Sequence, residues 1–465
     1  MNPSRNSKSY ECCIIGAGPA GLGAALELVK HGVTDIVIID KNKTVGGLAR
    51  TDILDSVRFD IGPHRFFTRN KEVNKIWHDT LGEDFRSVSR LTRIFYKKRY
   101  FNYPLKPSDI IIKLGLLESL DAIFGFIVAQ ISRKNETITF EDWIIRKFGR
   151  KLYETFFKAY TEKVWGIPCN QISAEWAVRR IKGLDALEII KNSLWGSRNN
   201  GIKTLASEFD YPVLGAGQMY NAICDRLLRS GAQLMLDSRV VRFNRKDNII
   251  QSVDILQSDG GEIGITAKQF FSSVPLAHFF QMLEPEDASR INAAAGALKY
   301  RDHITVELQV AREAVFPDQW IYIHSPDMQI TRIANYNNFS RAMSQDNRKT
   351  ALSAEYFVFK DLGLWSEPDK FLIDLAAGEL EEMGLIKKCE IEKAWVVREP
   401  EAYPIYQVGF QEQRSLLKSR VEEYLNFYSI GRAGMHKYDN QDHALMSGIS
   451  ASRNYLKSEG SPYAL

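Results

Sequence analysis

A glycine-rich turn between a short apolar run and an amphipathic stretch constrains the fold of this chain more than any other feature. Cys12–Ile15 is followed by Gly16, Gly18 and Gly21 in the spacing GxGxxG. This order predicts a buried parallel strand, a tight turn and a helix over 20–30 whose N-terminus holds a pyrophosphate against backbone N–H groups. We expect Gly16 to make the turn, Gly18 to let the phosphates approach, and Gly21 to let the helix pack closely on the strand.

A second apolar run over 35–39 ends at Asp40, where a carboxylate can accept hydrogen bonds from an adenosine ribose. Because strand, turn, helix, second strand and acid occur in this order, the pattern predicts dinucleotide binding. The pair Gly46-Gly47 follows shortly after the acid. Such a turn lets backbone lie flat under a long, buried dinucleotide and favours a flavin over a nicotinamide.

Length and composition exclude several classes of protein. The chain has 465 residues, 45% hydrophobic and 25% charged, which is typical of a globular protein with more than one core. Its 61 basic and 57 acidic residues leave a net charge of +4, which gives no reason to expect nucleic acid binding. Residues 1–10 lack the apolar core of a secretory signal. The apolar window 110–131 carries three charges, so we expect a buried amphipathic helix and no membrane span.

Cysteine usage predicts a reducing, cytoplasmic compartment. The cysteines show no CxxC motif and no regular spacing, so we expect small buried core residues and neither disulfides nor a metal site. They are Cys12, Cys13, Cys169, Cys224 and Cys389.

The order of local patterns predicts that the dinucleotide-binding part is discontinuous. A segment with helical periodicity, 108–194, separates the opening unit from a second strand–helix–strand signal, and an alternating segment with antiparallel character follows. The predicted later elements are a helix from Gly217 to Leu228, strands over 234–236 and 239–243, a hairpin over 249–265, a further strand ending at 272, strands over 304–310, 320–324, 330–336, 351–359 and 394–397, a helix over 368–383, a strand over 425–430 and a helix over 440–456.

Motifs spread from residue 12 to about residue 456 identify a family resemblance. They are GGLART (46–51), GPHRFF (62–67), TFEDWI (139–144), AYTEKVWGIP (159–168), Trp176, Arg180, WIY (320–322), TRI (331–333), Tyr403-Pro404, GRAG (431–434), Lys437-Tyr438 and NQDH (440–443). Together they resemble the eukaryotic-type UDP-galactopyranose mutases, within the FAD-dependent group that also contains amine oxidases and protoporphyrinogen oxidases. The glycine motifs are shared across that group, whereas NQDH and the pair Arg332 and Arg432 are more specific.

The resemblance implies an α/β fold. Its parts are a Rossmann-like FAD-binding domain of the GR2 type, an inserted helical domain and an antiparallel β-sheet substrate domain. We predict the FAD-binding domain over 1–80, 205–290 and 425–465, the helical domain over 104–200, and the substrate domain over 81–103 and 291–424.

The resemblance also implies a cytoplasmic enzyme of cell-surface polysaccharide biosynthesis. It would interconvert the pyranose and furanose forms of a nucleotide-diphosphate sugar, with N5 of reduced FAD as nucleophile and NADPH or NADH as reductant. The implied catalytic residues are His64, Arg332 and Arg432; the cofactor residues are Gly16, Gly18, Pro19, Ala20, Gly21, Asp40, Lys41, Gly47, Leu48, Ala49, Gly62, His64, Val240, Arg432, Asn440 and Gln441; the substrate residues are Trp165, Arg180, Tyr322, Arg332, Tyr403, Arg432 and Tyr438. Two converging guanidinium groups would grip a pyrophosphate, although either arginine alone could equally form a structural ion pair.

Departures from the family pattern concern the sugar and base more than the pyrophosphate. Thr161 and Ala206 stand where the mutases carry asparagine, and Arg69 stands in place of a second histidine. The loop between Tyr438 and Asn440 is two residues shorter than in the mutases. The sugar is therefore left unassigned.

Two other functions remain in view. A flavin oxidoreductase of the amine oxidase or protoporphyrinogen oxidase type would share every FAD motif but has no evident need for two phosphate-binding arginines. A non-enzymatic binding protein, like the Rab GDP-dissociation inhibitors, would not need an intact flavin cradle. Homo-oligomerisation is left undecided.

Overall fold

The computed structural model describes residues 7–105, 107–131, 137–181, 208–283, 289–360 and 362–458. The strands are β1 (Ser7–Ile15), β2 (Ile36–Ile39), β3 (Thr51–Leu54), β4 (Val57–Asp60), β5 (Phe85–Ser89), β6 (Thr92–Tyr96), β7 (Arg99–Asn102), β8 (Glu208–Pro212), β9 (Gln233–Met235), β10 (Ser238–Lys246), β11 (Ile249–Gln257), β12 (Glu262–Ser272), β13 (Tyr300–Val310), β14 (Trp320–Ile323), β15 (Arg332–Asn335), β16 (Thr350–Val358), β17 (Ile391–Pro404) and β18 (Phe427–Ser429). The helices of seven residues or more are α1 (Pro19–Lys30), α2 (Lys71–Leu81), α3 (Pro107–Leu114), α4 (Leu116–Ile131), α5 (Phe140–Phe148), α6 (Ala159–Trp165), α7 (Ala174–Ile181), α8 (Gly217–Arg229), α9 (Leu276–Met282), α10 (Ser289–Ala297), α11 (Asp369–Glu382), α12 (Phe410–Val421) and α13 (Gln441–Ser458).

The first sheet is seven-stranded and assembles distant parts of the chain. Its order is β10-β11-β12-β1-β2-β9, with β18 also pairing β12. Strand β1 runs parallel to both β2 and β12, so Ile15 lies between Ile39 and Ser272. Carboxyl ends of parallel strands meet at one edge of a sheet, where ligands bind in open α/β folds. The predicted return of the C-terminal strand to this sheet is confirmed.

The hairpin predicted over 249–265 and the strand predicted to end at 272 share one long strand. Glu262–Ser272 pairs antiparallel with β11 at its start and parallel with β1 over most of its length. The separate further strand was therefore wrong. No turn signal lies between 262 and 272, so the extended backbone continues uninterrupted.

Helices α1 and α13 pack in unusually close contact. A Cβ placed on Gly448 would lie 1.9 Å from the Ala20 carbonyl oxygen, and one placed on Gly23 would lie 2.5 Å from the Leu445 carbonyl oxygen. Only glycine permits this approach of two backbones. The packing holds the N-terminus of α13 beside the glycine-rich turn.

The second sheet carries most of the antiparallel strands predicted from the sequence. Its order is β17-β13-β16-β15-β14-β6-β7, with β14 and β6 parallel. The register aligns Tyr322, Arg332 and Glu355 across β14, β15 and β16. Directly opposed residues of adjacent strands point to the same face, so these three side chains share one side of the sheet.

The window 110–131 differs from its prediction as one buried helix. It forms two helices, α3 and α4, separated at Gly115, whose φ is +94°. Many of its large apolar side chains are exposed, including Leu117 at 84% and Ile131 at 76%. Within the described ranges, no helix is both long and apolar enough to cross a membrane.

The predicted fold class is confirmed, as a Rossmann-like unit within a mixed α/β structure of several sheets. The division into three domains stays a prediction. Four cysteines are buried as expected, whereas Cys389 is exposed, which corrects the expectation for that residue.

Candidate active site

The glycine-rich turn brings the N-terminus of α1 close to the loop at Gly47. Gly16 has φ +107°, and a Cβ on Gly21 would lie 1.8 Å from the Gly16 carbonyl oxygen, so both positions require glycine. Gly18 faces Gly47, whose Cα would be 3.7 Å from a Cβ placed on Gly18. Because neither Gly18 nor Gly47 carries a side chain, the backbone of both segments lines one cavity, which suits a phosphate group.

Asp40 closes the turn from the second strand. Its carboxylate accepts hydrogen bonds from the N–H of Ala17 at 2.7 Å and the N–H of Asn42 at 2.8 Å. Burial raises the pKa of this carboxyl, and the two N–H groups act in the opposite direction. Each of the two carboxylate oxygens can accept one more hydrogen bond, as recognition of a ribose hydroxyl requires.

A cavity of about 1020 Å³ extends from this turn to the second sheet. Most of the residues predicted for a cofactor or substrate line it: Gly16, Gly18, Pro19, Ala20, Asp40, Lys41, Gly47, Leu48, Ala49, Gly62, His64, Val240, Tyr322, Arg332, Tyr403, Arg432, Tyr438, Asn440 and Gln441. Gly21 instead lies behind the turn, and the side chain of Arg180 lies outside the described residues. Residues from both sheets and from the start of α13 therefore line one cavity.

His64 lies on the cavity wall as a neutral imidazole. Its Nε2 is 2.8 Å from the Leu48 carbonyl oxygen, which can only accept, so Nε2 carries the proton. Burial, together with the positive charges of Arg332 and Arg432, lowers the pKa of His64 to about 4. The ring is therefore uncharged at neutral pH.

Arg332 is already engaged in a buried ion pair. Its Nε and Nη2 donate to the two oxygens of Glu355 at 2.6 and 2.5 Å. His303 Nε2 lies 2.9 Å from one of the same oxygens. Burial would raise the pKa of Glu355, but Arg332 and His303 lower it to about 2. A Cβ on Gly62 would lie 3.1 Å from Arg332 Nη2, so glycine lets the GPHR loop cross this pair.

Arg432 differs because, within the described ranges, no carboxylate pairs with it. Its guanidinium carbon lies 4.2 Å from the ring centre of Tyr403 and 4.5 Å from that of Tyr438. Among the described residues, its buried Nε and Nη2 have no hydrogen-bond partner. Donors that are charged, buried and unsatisfied are costly unless a ligand supplies acceptors. Arg432 is therefore the stronger anion-binding candidate of the two arginines.

One predicted substrate residue, Trp165, does not line the cavity. Trp165 is only 2% exposed and packs edge-on against Trp176, with ring centres 4.7 Å apart. Trp176 lines the cavity and Trp165 does not. Trp176 belongs to the family motifs but was not predicted as a substrate residue. It lies at the cavity surface, where Trp165 was expected.

Lys163 connects helix α6 to the second sheet next to the strands that line the cavity. Its buried Nζ donates to the carbonyl oxygens of Ile323, Ser325 and Ile330 at 3.0–3.1 Å. Burial lowers its pKa to about 8. These bonds tie α6 to the β14–β15 connection, between the strands that carry Tyr322 and Arg332.

Some cavity residues were missed by sequence reasoning. Arg65 lies over the Trp320 ring at 5.5 Å, and His278 Nε2 lies 2.7 Å from a carboxylate oxygen of Glu401. Arg65 adjoins His64 in the motif, which was a usable signal, whereas His278 and Glu401 lie on separate elements with no local signature. In the part of the chain that is described, no group of three or more His, Cys, Asp or Glu side chains is arranged to hold a metal ion.

Comparison with known proteins supports the fold. The NAD(P)-binding Rossmann-like domain matches residues 14–80. A solved structure of reduced UDP-galactopyranose mutase superposes with a TM-score of 0.83 and 21% identity, over 97% of this chain and 96% of that one. The chain has the UDP-galactopyranose mutase fold. The resemblance seen in the motifs is thereby confirmed at the level of the fold.

The curated relatives include two kinds of enzyme. A probable UDP-galactopyranose mutase of Klebsiella pneumoniae is 31% identical over 174 residues, which is 35% of this chain and 42% of that protein. The match thus spans less than half the length of this relative. A coproporphyrinogen III oxidase of Mycobacterium leprae (strain TN) is 23% identical over 329 residues, 67% of this chain and 69% of that protein.

Proposed function

We propose that this protein is an FAD-dependent mutase that interconverts pyranose and furanose forms of a nucleotide-diphosphate sugar. The observation that carries the proposal is Arg432, whose guanidinium contacts Tyr403 and Tyr438 and whose buried Nε and Nη2 lack a hydrogen-bond partner among the described residues. A diphosphate would supply the oxygen acceptors that this group lacks. Arg332 would add positive charge that Glu355 partly offsets.

The residues of the cavity suit FAD. Gly18 and Gly47 approach closely and both line the cavity, where their backbone would receive the pyrophosphate, and Asp40 would receive the ribose hydroxyls. The N-terminus of α13 carries partial positive charge and would favour negative charge on a reduced cofactor. A volume of about 1020 Å³ reaches the upper end of the range for ligand pockets, roughly 300–1,000 Å³, as a dinucleotide requires.

The chain would bind, orient and shield the reacting groups. Bound in its reduced form, FAD supplies a nucleophilic nitrogen, N5, for the anomeric carbon of the sugar. Arg432 would stabilise the negative charge of the departing diphosphate, and His64 would stay neutral and fixed by Leu48. The reaction changes no net oxidation state, so NADPH or NADH would serve only to reduce the flavin beforehand.

The nature of the sugar is a separate question. Thr161 is buried, Arg69 is exposed, and neither lines the cavity. Ala206 lies outside the described residues. The substrate is therefore proposed only as a nucleotide-diphosphate sugar.

The test is chromatography of nucleotide sugars after incubation with the purified protein. UDP-galactose, UDP-galactofuranose and related compounds would be compared with oxidised and dithionite-reduced protein. A new ring form that appears only with reduced flavin supports the mutase. No conversion of any nucleotide sugar, with the flavin bound and reduced, would overturn it.

An oxidoreductase is the second candidate, favoured by the M. leprae oxidase relative. Such an enzyme would consume an electron acceptor in proportion to product and would not require a diphosphate. Oxygen uptake without a requirement for reduction, together with no binding of UDP, would decide for it.

A further inference from the structure

Helix α4 is amphipathic, but its buried side chains are small and many of its large apolar side chains are exposed. It buries small side chains, Ser119 and Ala122, and lays Gly125 against Gly149, where an added Cβ would come within 2.6 Å of the Gly125 backbone. Seven of its large apolar side chains are exposed. A helix of a globular protein normally turns its apolar stripe to the core, so this arrangement calls for another explanation.

The exposed large apolar side chains of these two neighbouring helices are together named the α3–α4 apolar face. On α4 they recur at helical spacing, so they fall along one side of it. The face consists of Ile111 (45% exposed), Ile112 (76%), Leu117 (84%), Leu120 (53%), Ile123 (48%), Phe124 (68%), Ile127 (49%), Val128 (46%) and Ile131 (76%). Contiguous apolar surface of this kind marks a site of interaction, whereas scattered exposed side chains do not.

Basic residues flank the apolar face. Segment 97–151 has eleven Lys and Arg against six Asp and Glu, so its net charge of +5 exceeds the +4 of the whole chain. Lys97 and Lys151 approach Glu118 of α4 to 3.5 and 4.0 Å. At the other end of α4, Gln130 Nε2 donates to the Lys147 carbonyl oxygen at 3.1 Å. Lys97 and Lys151 therefore lie beside the start of α4, where they pair with its acidic side chains, and the net positive charge belongs to the segment as a whole.

We propose that the α3–α4 apolar face binds the surface of an anionic lipid bilayer. The apolar side chains would enter the boundary between headgroups and acyl chains, while the flanking Lys and Arg side chains meet anionic headgroups. Helix α4 would lie in the plane of the interface. A second copy of the chain fits less well, because a two-fold contact would bring the same positive segment of each copy together.

Vesicle co-sedimentation of the full-length protein tests the proposal. With vesicles of phosphatidylglycerol and phosphatidylcholine in equal parts, the protein should pellet, and less so in high salt. The double variant L120Q/F124Q should lower the partition coefficient by about tenfold or more, since two apolar side chains no longer enter the lipid. The matched control L362Q/L425Q alters exposed leucines (64% and 77%) outside the face and should bind like the wild type.

A second variant, which changes charge only, tests the proposal even if L120Q/F124Q does not fold. K97Q/K151Q removes two positive charges beside the face and should weaken binding to the mixed vesicles more than to pure phosphatidylcholine. A wild type that stays in the supernatant, or an L120Q/F124Q variant that melts normally and binds equally, would overturn the proposal. It would also fail if light scattering shows a dimer that L120Q/F124Q dissociates, with no binding to vesicles.

Discussion

Arg332 and Glu355 form a two-point ion pair across adjacent strands, with both oxygens of the carboxylate accepting from the guanidinium. Glu355 is fully buried and Arg332 faces the cavity. The pair restrains the guanidinium and offsets its charge. Arg332 and Arg432 therefore have different environments, although their sequence motifs suggested one shared role.

Removing the charge of Glu355 should destabilise the fold. E355Q keeps the side-chain size but leaves Arg332 as a buried charge without its counter-ion, so the free energy of unfolding should fall by about 3–5 kcal/mol. Urea denaturation measures this change. D55N breaks the exposed pair of Asp55 with Lys393 and should cost less than about 1 kcal/mol. If both variants lowered the free energy of unfolding equally, the buried Arg332–Glu355 pair would contribute no more to stability than the exposed pair.

Loss of Arg432 should weaken the binding of a nucleoside diphosphate. R432A should lower the affinity for UDP by about 2–5 kcal/mol, the scale for removing one partner of a buried charge pair. R332A should weaken UDP binding less than R432A and reduce stability more, because Glu355 loses its counter-ion. Isothermal titration of UDP, with R414A on α12 as a control outside the cavity, measures the difference. Unchanged affinity in both cavity variants would refute the diphosphate assignment.

A side chain at Gly18 should prevent cofactor binding without unfolding the protein. In G18V the Cβ would lie at van der Waals distance from Gly47, and the two methyl groups beyond it would crowd the part of the cavity wall that both glycines line. We expect a folded, colourless protein, measured as flavin absorbance per polypeptide. G264V, at a strand position with no atom within 4 Å of an added Cβ, should stay yellow. A fully yellow G18V would contradict the placement of the phosphates.

The titration of His64 should make stability depend on pH. Its pKa is about 4 in the folded protein and has an ordinary value of 6.5. The unfolded chain therefore binds the proton first, so this contribution is complete above pH 6.5 and is lost as the pH falls towards 4. In H64Q the decline in stability between these values should be shallower, as followed by melting temperature at each pH. H78Q, at a more exposed histidine, is the control, and an unchanged slope in H64Q would exclude the assignment.

Local sequence signals were sufficient for the dinucleotide cradle. The glycines at 16, 18 and 21 and the acid at 40 act through contacts within one βαβ unit, where spacing along the chain determines spacing in the fold. The antiparallel strands were also predictable, because alternation of apolar side chains reflects burial of one face. Their ends differed by a few residues, since tertiary pairing extends or trims a strand.

What the sequence by itself determined is therefore the cradle, the strand pattern and the residue types of the candidate site. Only the tertiary structure decided that Arg332 is paired while Arg432 is not, that Trp176 and not Trp165 reaches the cavity, and that α4 turns its apolar side outward. Each of these outcomes depends on contacts between residues far apart in the chain. Strand register and helix packing determine such contacts, and neither is encoded in the local periodicity of a segment.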